Sequence, residues 1–186
     1  VFGEDENTKQ VYDSVAKRIV SSAVNGLNGT IFAYGQTSSG KTFTMQGSGS
    51  IEEGSQSGGG IVHMAANDIF SHIQSQPNRM FLVRASFLEI YNEDVRDLLS
   101  KSIQTLQIRE DPRRGVFVQS EEEIVTDYQS LLKILFQGEK SRAVSATAMN
   151  ERSSRSHTIF KITIESREKE CDDGENDENR PPSEDG

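Results

Sequence analysis

The octapeptide GQTSSGKT, residues 35–42, constrains the fold of this chain more than any other segment. It fits the phosphate-binding pattern G-x-x-x-x-G-K-[ST] and directly follows the apolar run of residues 30–34. A loop that wraps phosphate oxygens with successive backbone N–H groups needs glycine where it turns sharply and where it approaches the ligand closely. Gly35 and Gly40 occupy these two positions. The pattern therefore predicts a short buried strand, a phosphate-binding loop and the start of a helix.

Two residues at the end of this loop suit a nucleotide and its metal ion. Lys41 is a compact cation for the outer phosphates, and the hydroxyl of Thr42 suits a Mg²⁺ ion that keeps several waters. A glycine-rich turn without a ligand is the alternative, and the strand-then-helix setting argues against it. The predicted phosphate-binding residues are Gly35, Gln36, Thr37, Ser38, Ser39, Gly40, Lys41 and Thr42.

The composition predicts one domain with no membrane-spanning segment and no intramolecular disulfide. The chain has 186 residues, 33% of them hydrophobic. No apolar run approaches the roughly 20 residues needed to cross a bilayer, and the first ten residues lack the apolar stretch of a secretory signal. Cys171 is the only cysteine, so no intramolecular disulfide can form. We expect a reducing cytosolic or nuclear environment.

The formal charge of -9 is concentrated at the end of the chain. Residues 168–186 contain nine acidic and two basic residues, which leaves a net charge of -2 on the first 167 residues. This terminal segment has few apolar side chains, so burial cannot offset the entropy cost of ordering it. We predict that residues 170–186 are disordered.

Hydrophobic periodicity predicts helices and strands that interleave along the chain. Helices are expected at 8–25, with Asn25-Gly26 as the stop signal, from Lys41 onward, at 61–74 after an inserted surface loop at 48–60, and at 128–138. Strands are expected at 30–34, 80–90 and 158–165, with a hairpin formed by 106–108 and 116–118 and a short turn or helix at 94–99. The predicted fold class is α/β: a P-loop NTPase with a mixed central sheet and helices on both faces.

A second polar cluster, NERSSRSH at residues 150–157, lies between a predicted helix and a predicted strand. Taken alone, it is most simply a solvated connection or a phosphorylation site. Its hydroxyl and amide groups gain importance because they could act together with the phosphate loop. His63, His72 and His157 lack acidic or cysteine companions at ligand spacing, so we expect no metal other than magnesium.

Three motifs together resemble the kinesin motor domain: GQTSSGKT, SFLEIYNEDVRDLL and NERSSRSH. The segment IREDPRRGVFV follows kinesin order as well, so the resemblance covers roughly residues 1–169. Among kinesins, EKSR, SSRSHTIF and ESREK are most similar to the centromere-associated subfamily. The resemblance implies an ATP-dependent microtubule motor whose cofactors are ATP and Mg²⁺.

The resemblance also implies roles for individual residues. Phe43 would stack near the adenine, and Thr42 and Ser154 would hold Mg²⁺. Asn150 and Ser153 would sense the third phosphate and position the attacking water. Arg155 would close this first switch by pairing with a glutamate of a second switch. The implied catalytic residues are Lys41, Asn150, Ser153 and Arg155.

The sequence contains no DLAGSE-like second switch, and it opens past the first strand of the family. We therefore expect residues 1–169 to be the amino-terminal part of a kinesin motor domain, and residues 170–186 to be an acidic tail or an interrupted loop. The isolated chain should be nearly inactive as an ATPase. The alternative is a truncated non-motor product that binds nucleotide or regulates without ATPase activity.

The implied partner is the microtubule, with Arg113 and Arg114 at the hairpin tip as candidate contacts. No basic stripe accompanies aromatic residues, so nucleic acid is not expected to bind, and no membrane partner is expected. Dimerisation would require a stalk that is not in this sequence. The implied location is the cytoplasm and the microtubule cytoskeleton, including the spindle or kinetochore for the centromere-associated subfamily.

Overall fold

The structure is a computed structural model that describes residues 2–3, 5–47, 59–102, 104–113, 115–147 and 155–169. The helices are α1 (Thr8–Val11), α2 (Lys17–Val24), α3 (Lys41–Gln46), α4 (Ile61–Gln74) and α5 (Tyr128–Thr147). The strands are β1 (Arg79–Tyr91), β2 (Asp94–Asp97), β3 (Thr105–Leu106), β4 (Ile108–Asp111), β5 (Gly115–Val118), β6 (Glu123–Val125) and β7 (His157–Glu168).

The predicted first helix is present, with a π-helical stretch, Tyr12–Ala16, between α1 and α2. It begins at a capping box: the Asn7 side chain accepts a hydrogen bond from the Gln10 backbone N–H at 3.0 Å, and the Gln10 side chain accepts one from the Asn7 N–H at 2.7 Å. It ends before Gly26, whose φ of 95° suits the left-handed conformation that follows a helix. The Asn-Gly stop signal in the sequence is therefore confirmed.

The central sheet is built around β1, the longest strand. β7 pairs with one edge of β1 along twelve residues, from Arg79 opposite Glu168 to Ile90 opposite His157. β2 and β6 pair with the other edge of β1, at residues 88–91 and 83–85, and β3 pairs with β2. All of these ladders are antiparallel, and β4 and β5 form a separate two-stranded sheet. The strand predicted at 158–165 is therefore confirmed and extends slightly at both ends.

One face of the sheet carries the main hydrophobic core. Phe87 of β1 is 1% exposed and packs edge-on against Phe160 of β7, with ring centroids 5.2 Å apart. Leu131 and Leu135 of α5 cover this face and are almost completely buried. A Cβ added to Gly138 would lie 2.1 Å from the Phe87 ring, so only glycine lets α5 approach β1 this closely.

A second hydrophobic cluster joins the first helix to α4. Tyr12 is 2% exposed, and its hydroxyl donates a hydrogen bond to Asp68 of α4 at 2.8 Å. Burial and the neighbouring carboxylate together raise the pKa of Tyr12, so the phenol remains the donor at neutral pH. Ile162 and Ile164 of β7 contact the same cluster, which shows that both clusters use one face of the sheet.

The buried strand predicted at 30–34 is not present. These residues form no ladder with any of the seven described strands, although Ile31 still packs against the second cluster. Phe32 is 79% exposed and Tyr34 is 95% exposed. An apolar run indicates that a segment suits burial, but a strand also needs a hydrogen-bonded neighbour, and the described strands provide none here.

Three further predictions need correction. Residues 94–97 form β2 rather than a turn or helix, because Asn92 and Glu93 turn the chain with positive φ and return it along β1. Leu106 belongs to β3, so the hairpin pairs β4 with β5. The helix predicted at 128–138 continues to Thr147. Gly138 does not end it, because this glycine lies inside the helix where the helix packs against the Phe87 ring.

The inserted loop separates α3 from α4 as predicted, and its two ends meet. Gly47 and Gly59 form an isolated antiparallel bridge. Most of the inserted segment, residues 48–58, and the predicted acidic tail, residues 170–186, lie outside the described residues. None of the helices in the described ranges is long and apolar enough to span a membrane.

We expect Gly60→Ala to destabilise the fold at the junction of α3 and α4. An added Cβ would lie 2.4 to 2.5 Å from backbone atoms of Met45 and Gln46, and backbone atoms cannot move aside as the end of a side chain can. The expected loss in free energy of unfolding is about 1–3 kcal/mol, measured by chemical denaturation. Gly3→Ala is the control, because the nearest atom to its added Cβ lies 4.0 Å away. Equal stability of the two variants would contradict the prediction.

Candidate functional site

The phosphate loop has a backbone shape that depends on its glycines. Gly40, which precedes α3, has φ of 87°. Ser38 also adopts a positive φ, 64°, which is uncommon for a residue with a side chain. A Cβ on Gly35 would lie 2.4 Å from the Ser39 hydroxyl oxygen. The glycine spacing in the sequence therefore corresponds to a real steric requirement at both ends of the loop.

Lys41, the first residue of α3, bends back into the loop. Its ammonium donates hydrogen bonds to the carbonyl oxygens of Gly35 at 2.7 Å and Gln36 at 2.6 Å. The cation therefore lies beside the first two residues of a loop made of small and polar residues. Oxygen atoms of a phosphate group are stronger partners for an ammonium than neutral carbonyls. The arrangement suits an anionic ligand.

The remaining residues predicted for the nucleotide are open to solvent. Thr37, Ser38, Ser39, Gly40 and Thr42 are exposed, as is Gln36. Phe43 is 54% exposed, so its ring is accessible from solvent beside the loop. The backbone cradle, the Lys41 ammonium and the Thr42 hydroxyl together fit a nucleotide phosphate with Mg²⁺. Thr42 would supply one oxygen ligand to the ion.

Only the end of the second polar cluster is described. Asn150, Ser153 and Ser154, which were predicted for the third phosphate, the attacking water and Mg²⁺, lie outside the described residues. Arg155 is exposed, Ser156 is half-buried, and β7 begins at His157. The Ser156 hydroxyl accepts a hydrogen bond from Arg142 of α5 at 3.1 Å. Helix α5 therefore anchors the point where the polar cluster enters the sheet.

Helix α5 also contacts the phosphate-loop helix, a link that the sequence did not reveal. Gln46, the last residue of α3, donates a hydrogen bond from its side chain to Glu139 of α5 at 2.6 Å. Glu139 lies 3.7 Å from the Arg142 guanidinium, and Arg142 lies 3.9 Å from the carboxylate of Glu89. Neither the phosphate loop nor the NERSSRSH cluster contains Glu139 or Arg142. Both lie in the segment EKSR, residues 139–142, which the sequence comparison marked without assigning it a contact, and no local pattern connects residues 46 and 139. Only the folded chain brings them together.

His63 lies in the first turn of α4 and is partly buried. Its Nδ1 atom is buried without a hydrogen-bond partner, and a Cβ on Gly59 would lie only 2.7 Å from the Cβ of His63. Burial lowers the pKa of His63 below its ordinary value of 6.5, because the charged imidazolium loses hydration there.

This burial predicts a pH dependence of stability. The unfolded chain binds a proton to His63 at a higher pH than the folded chain does. The stability associated with neutral His63 is therefore fully present above pH 6.5 and is lost as the pH falls through the lower, folded pKa. We expect the free energy of unfolding to fall less between pH 7.5 and pH 5 in His63→Gln than in the unchanged protein. Parallel pH profiles would show that the prediction is wrong.

The hairpin predicted to carry two arginines at its tip is present as β4 and β5. Arg113 is exposed in the turn, where its backbone N–H donates to Asp111 at 2.8 Å, and Arg114 lies outside the described residues. Ile108 and Val116 are 62% and 70% exposed on this hairpin. In the part of the chain that is described, no group of three or more His, Cys, Asp or Glu residues could hold a metal ion.

Comparison with known proteins identifies relatives that share these motifs. A family model described as the kinesin motor domain matches residues 1–180. The kinesin-like protein KIN-7O of Arabidopsis thaliana is 50% identical over 175 residues, which are 94% of this chain and 13% of that protein. Centromere-associated protein E of Homo sapiens is 49% identical over 172 residues, 91% of this chain and 6% of that protein. The predicted likeness to kinesins, with a centromere-associated member among the relatives, is therefore confirmed.

A solved structure shows the same architecture. The structure titled "Structure of a fast kinesin: Implications for ATPase mechanism and interactions with microtubules" superposes with a TM-score of 0.84 at 39% sequence identity. The match covers 90% of this chain and 47% of that chain, so this chain spans about half of the solved domain. The predicted α/β P-loop fold class is confirmed. In the described part its ladders are antiparallel, and both hydrophobic clusters lie on one face of the sheet.

Proposed function

Because this chain belongs to the kinesin motor-domain family, we propose that it is the nucleotide-binding part of an ATP-dependent microtubule motor. The observation that supports this most directly is the phosphate loop, in which the Lys41 ammonium lies within 2.7 Å of the Gly35 and Gln36 carbonyl oxygens. The chain spans 13% and 6% of the two relatives described above. The activity proposed here therefore belongs to a longer protein.

The proposed binding mode assigns physical tasks to residues of the loop, to Phe43 and to Ser154, which lies outside the described residues. Backbone N–H groups of residues 35–42 surround the phosphates, and Lys41 neutralises part of their charge. Thr42, together with Ser154, holds Mg²⁺, which supplies positive charge to the phosphate oxygens when it is bound. Phe43 covers one side of the adenine. Phosphoryl transfer needs positioning and electrostatic stabilisation more than covalent chemistry, and this loop supplies both.

The first switch completes the proposed site. Asn150 and Ser153 position the attacking water and sense the third phosphate, and Arg155 closes the switch. In this proposal the segment responds to the presence of the third phosphate and to its loss on hydrolysis. The switch depends on a partner glutamate in a second switch segment, which this sequence does not contain. We therefore propose that the isolated chain binds nucleotide but hydrolyses it very slowly.

The microtubule is the proposed macromolecular partner. The hairpin of β4 and β5 carries exposed Arg113 in its turn and the exposed side chains of Ile108 and Val116 on its strands, and tubulin has an acidic surface that suits a basic tip. Arg114 is included in this proposal from its place in the sequence. The proposed location is accordingly the microtubule cytoskeleton, with the spindle or kinetochore as the finer assignment.

ATP hydrolysis by the complete open reading frame, measured with and without microtubules, tests the motor proposal. Stimulation by microtubules is expected, and a rate unchanged by microtubules would overturn it. For the 186-residue chain itself, titration with a fluorescent ATP analogue in the presence and absence of Mg²⁺ tests nucleotide binding. Magnesium-dependent binding is expected, and failure to bind would overturn the assignment of residues 35–42 as a working site.

The second candidate is a non-motor product of the same sequence, and the exposed apolar residues favour it. Phe32 and Tyr34 are largely open to solvent, and exposed apolar surface promotes association. Sedimentation of the isolated chain separates the two candidates. A monodisperse monomer that binds nucleotide supports the motor fragment, whereas a self-associating chain that does not bind nucleotide supports the non-motor product.

A further inference from the structure

We propose that Glu139 is a positioning residue that couples the end of the phosphate-loop helix to the end of the first-switch segment. The coupling runs from Gln46 through Glu139 and Arg142 to Ser156. It deepens the proposed function, because it assigns a residue that controls how the two halves of the nucleotide site are held relative to each other. Glu139 lies outside both sequence motifs and touches neither loop directly.

The first contact joins Glu139 to α3. The Gln46 side-chain amide donates to a Glu139 carboxylate oxygen at 2.6 Å, across 93 positions of sequence. Helix α3 contains only six residues and starts at Lys41, so Gln46 and the loop cation belong to one short rigid element. When the phosphate loop moves, α3 moves with it. The Gln46 side-chain amide, which donates a hydrogen bond to Glu139, then moves as well.

The second contact joins Glu139 to Arg142 one turn later on α5. The other carboxylate oxygen of Glu139 lies 3.7 Å from the guanidinium, with Glu139 25% and Arg142 14% exposed at the side chain. Arg142 uses a different nitrogen to donate to the Ser156 hydroxyl at 3.1 Å. Ser156 follows Arg155 directly and precedes His157, the first residue of β7. The bond between Arg142 and Ser156 therefore fixes the point where the polar cluster enters the sheet.

Burial makes these contacts sensitive to one another. Glu89 of β1 is 1% exposed and lies 3.9 Å from the third nitrogen of Arg142, so one guanidinium faces two carboxylates. Charges that are largely shielded from water interact more strongly than surface charges, and removal of one redistributes the hydrogen bonds of the others. Glu89 holds Arg142 to the sheet, and Glu139 adds the connection to α3. Loss of Glu139 therefore leaves Arg142 paired but disconnects it from the phosphate loop.

The expected consequence is a change in nucleotide preference. The phosphate loop contacts every bound nucleotide, whereas the first switch responds to the third phosphate. Glu139 is proposed to hold the phosphate loop and the first switch at fixed positions relative to each other. Glu139→Ala is therefore expected to weaken binding of an ATP analogue about three- to tenfold more than binding of ADP. Glu139→Gln keeps an oxygen acceptor for Gln46 but removes the charge facing Arg142, so an intermediate effect is expected.

A set of coupled substitutions tests the proposal in the 186-residue chain. Gln46→Ala and Arg142→Ala are made singly and together, in the presence of Glu139 and again in Glu139→Ala. Dissociation constants for fluorescent ATP and ADP analogues are measured with Mg²⁺. Gln46 and Arg142 are linked through Glu139. When Glu139 is present, the effect of the double substitution on the ATP-to-ADP affinity ratio should therefore differ by at least about threefold from the product of the two single effects. In Glu139→Ala, the two single effects should combine without such a difference.

The controls separate failure of this proposal from failure of the proposed function. Glu168→Ala removes an exposed ion pair with Arg79 and should leave both affinities unchanged. If the unchanged chain does not bind nucleotide, the proposed function fails. If it binds but the two effects are additive in both backgrounds, the coupling through Glu139 is overturned. A circular dichroism spectrum identical to that of the unchanged chain excludes simple loss of folding in each variant.

Discussion

Replacing Lys41 with alanine is expected to weaken binding of a magnesium-bound nucleotide by about 10- to 150-fold. The ammonium is held at the start of the phosphate loop by the carbonyl oxygens of Gly35 and Gln36, at 2.7 and 2.6 Å. A hydrogen bond to a charged group contributes about 1.5–3 kcal/mol, and each 1.4 kcal/mol is a tenfold change in affinity. Alanine cannot replace either the donor or the positive charge.

Isothermal titration with ATP and ADP in the presence of Mg²⁺ measures this effect. Lys133→Ala is the matched control, because Lys133 is an exposed lysine of α5 away from the loop. Lys41→Arg is expected to bind with intermediate affinity, since the planar guanidinium keeps the charge but differs in shape from the compact ammonium. Equal affinities for Lys41→Ala and Lys133→Ala would show that the loop does not hold the phosphates through this cation.

The second large effect is expected from Phe87→Ala, which should lower the free energy of unfolding by about 3–5 kcal/mol. Phe87 is 1% exposed at the centre of the main core, where it contacts Phe160 of β7 and the backbone of α5 at Gly138. Truncation removes buried apolar area and leaves a cavity between the helix and the sheet. The neighbouring residues of α5 cannot move in to fill this cavity, because the helix backbone at Gly138 already lies so close to β1 that no Cβ fits there.

Chemical denaturation followed by circular dichroism measures this loss. Phe136→Ala on α5 is the control. Phe136 is 49% exposed, so its truncation should lower the free energy of unfolding by less than about 1 kcal/mol. If Phe87→Ala does not fold, Phe87→Leu provides a graded test, with an expected loss smaller than that of alanine but larger than that of the Phe136 control. A Phe87→Leu variant as stable as the unchanged protein would contradict the central role assigned to this ring.

The elements predicted from periodicity and from local stop signals are mostly present. The strand at 158–165, the helix at 61–74 and the helix end at Asn25-Gly26 depend on residues close together in sequence, so local patterns were sufficient to find them. The strand at 30–34 was predicted from its apolar run alone. It is not formed among the described residues because strand pairing depends on a neighbour that a local run cannot specify.

The helix that became longer than predicted shows the same limit. The helix was predicted to end at Gly138, just after the apolar residues at 131–136. In the folded chain this glycine lies against the Phe87 ring, where any Cβ would clash, and α5 continues to Thr147. The extra turns carry Glu139 and Arg142. The sequence marked these residues within EKSR, but their contacts with Gln46 of α3 and with Ser156 depend on the fold.

The sequence by itself determined the chemistry of the phosphate loop. Glycine spacing, one lysine and one hydroxyl within eight consecutive residues specify a backbone cradle, and the structure forms its positive-φ turn and its Lys41 contacts. Only the tertiary structure decided how this loop is connected to the rest of the site. The bond between Gln46 and Glu139 joins positions 93 residues apart, and such a contact arises only when the sheet and α5 pack together. Local spacing encodes local geometry, whereas contacts between distant segments depend on packing of the whole core.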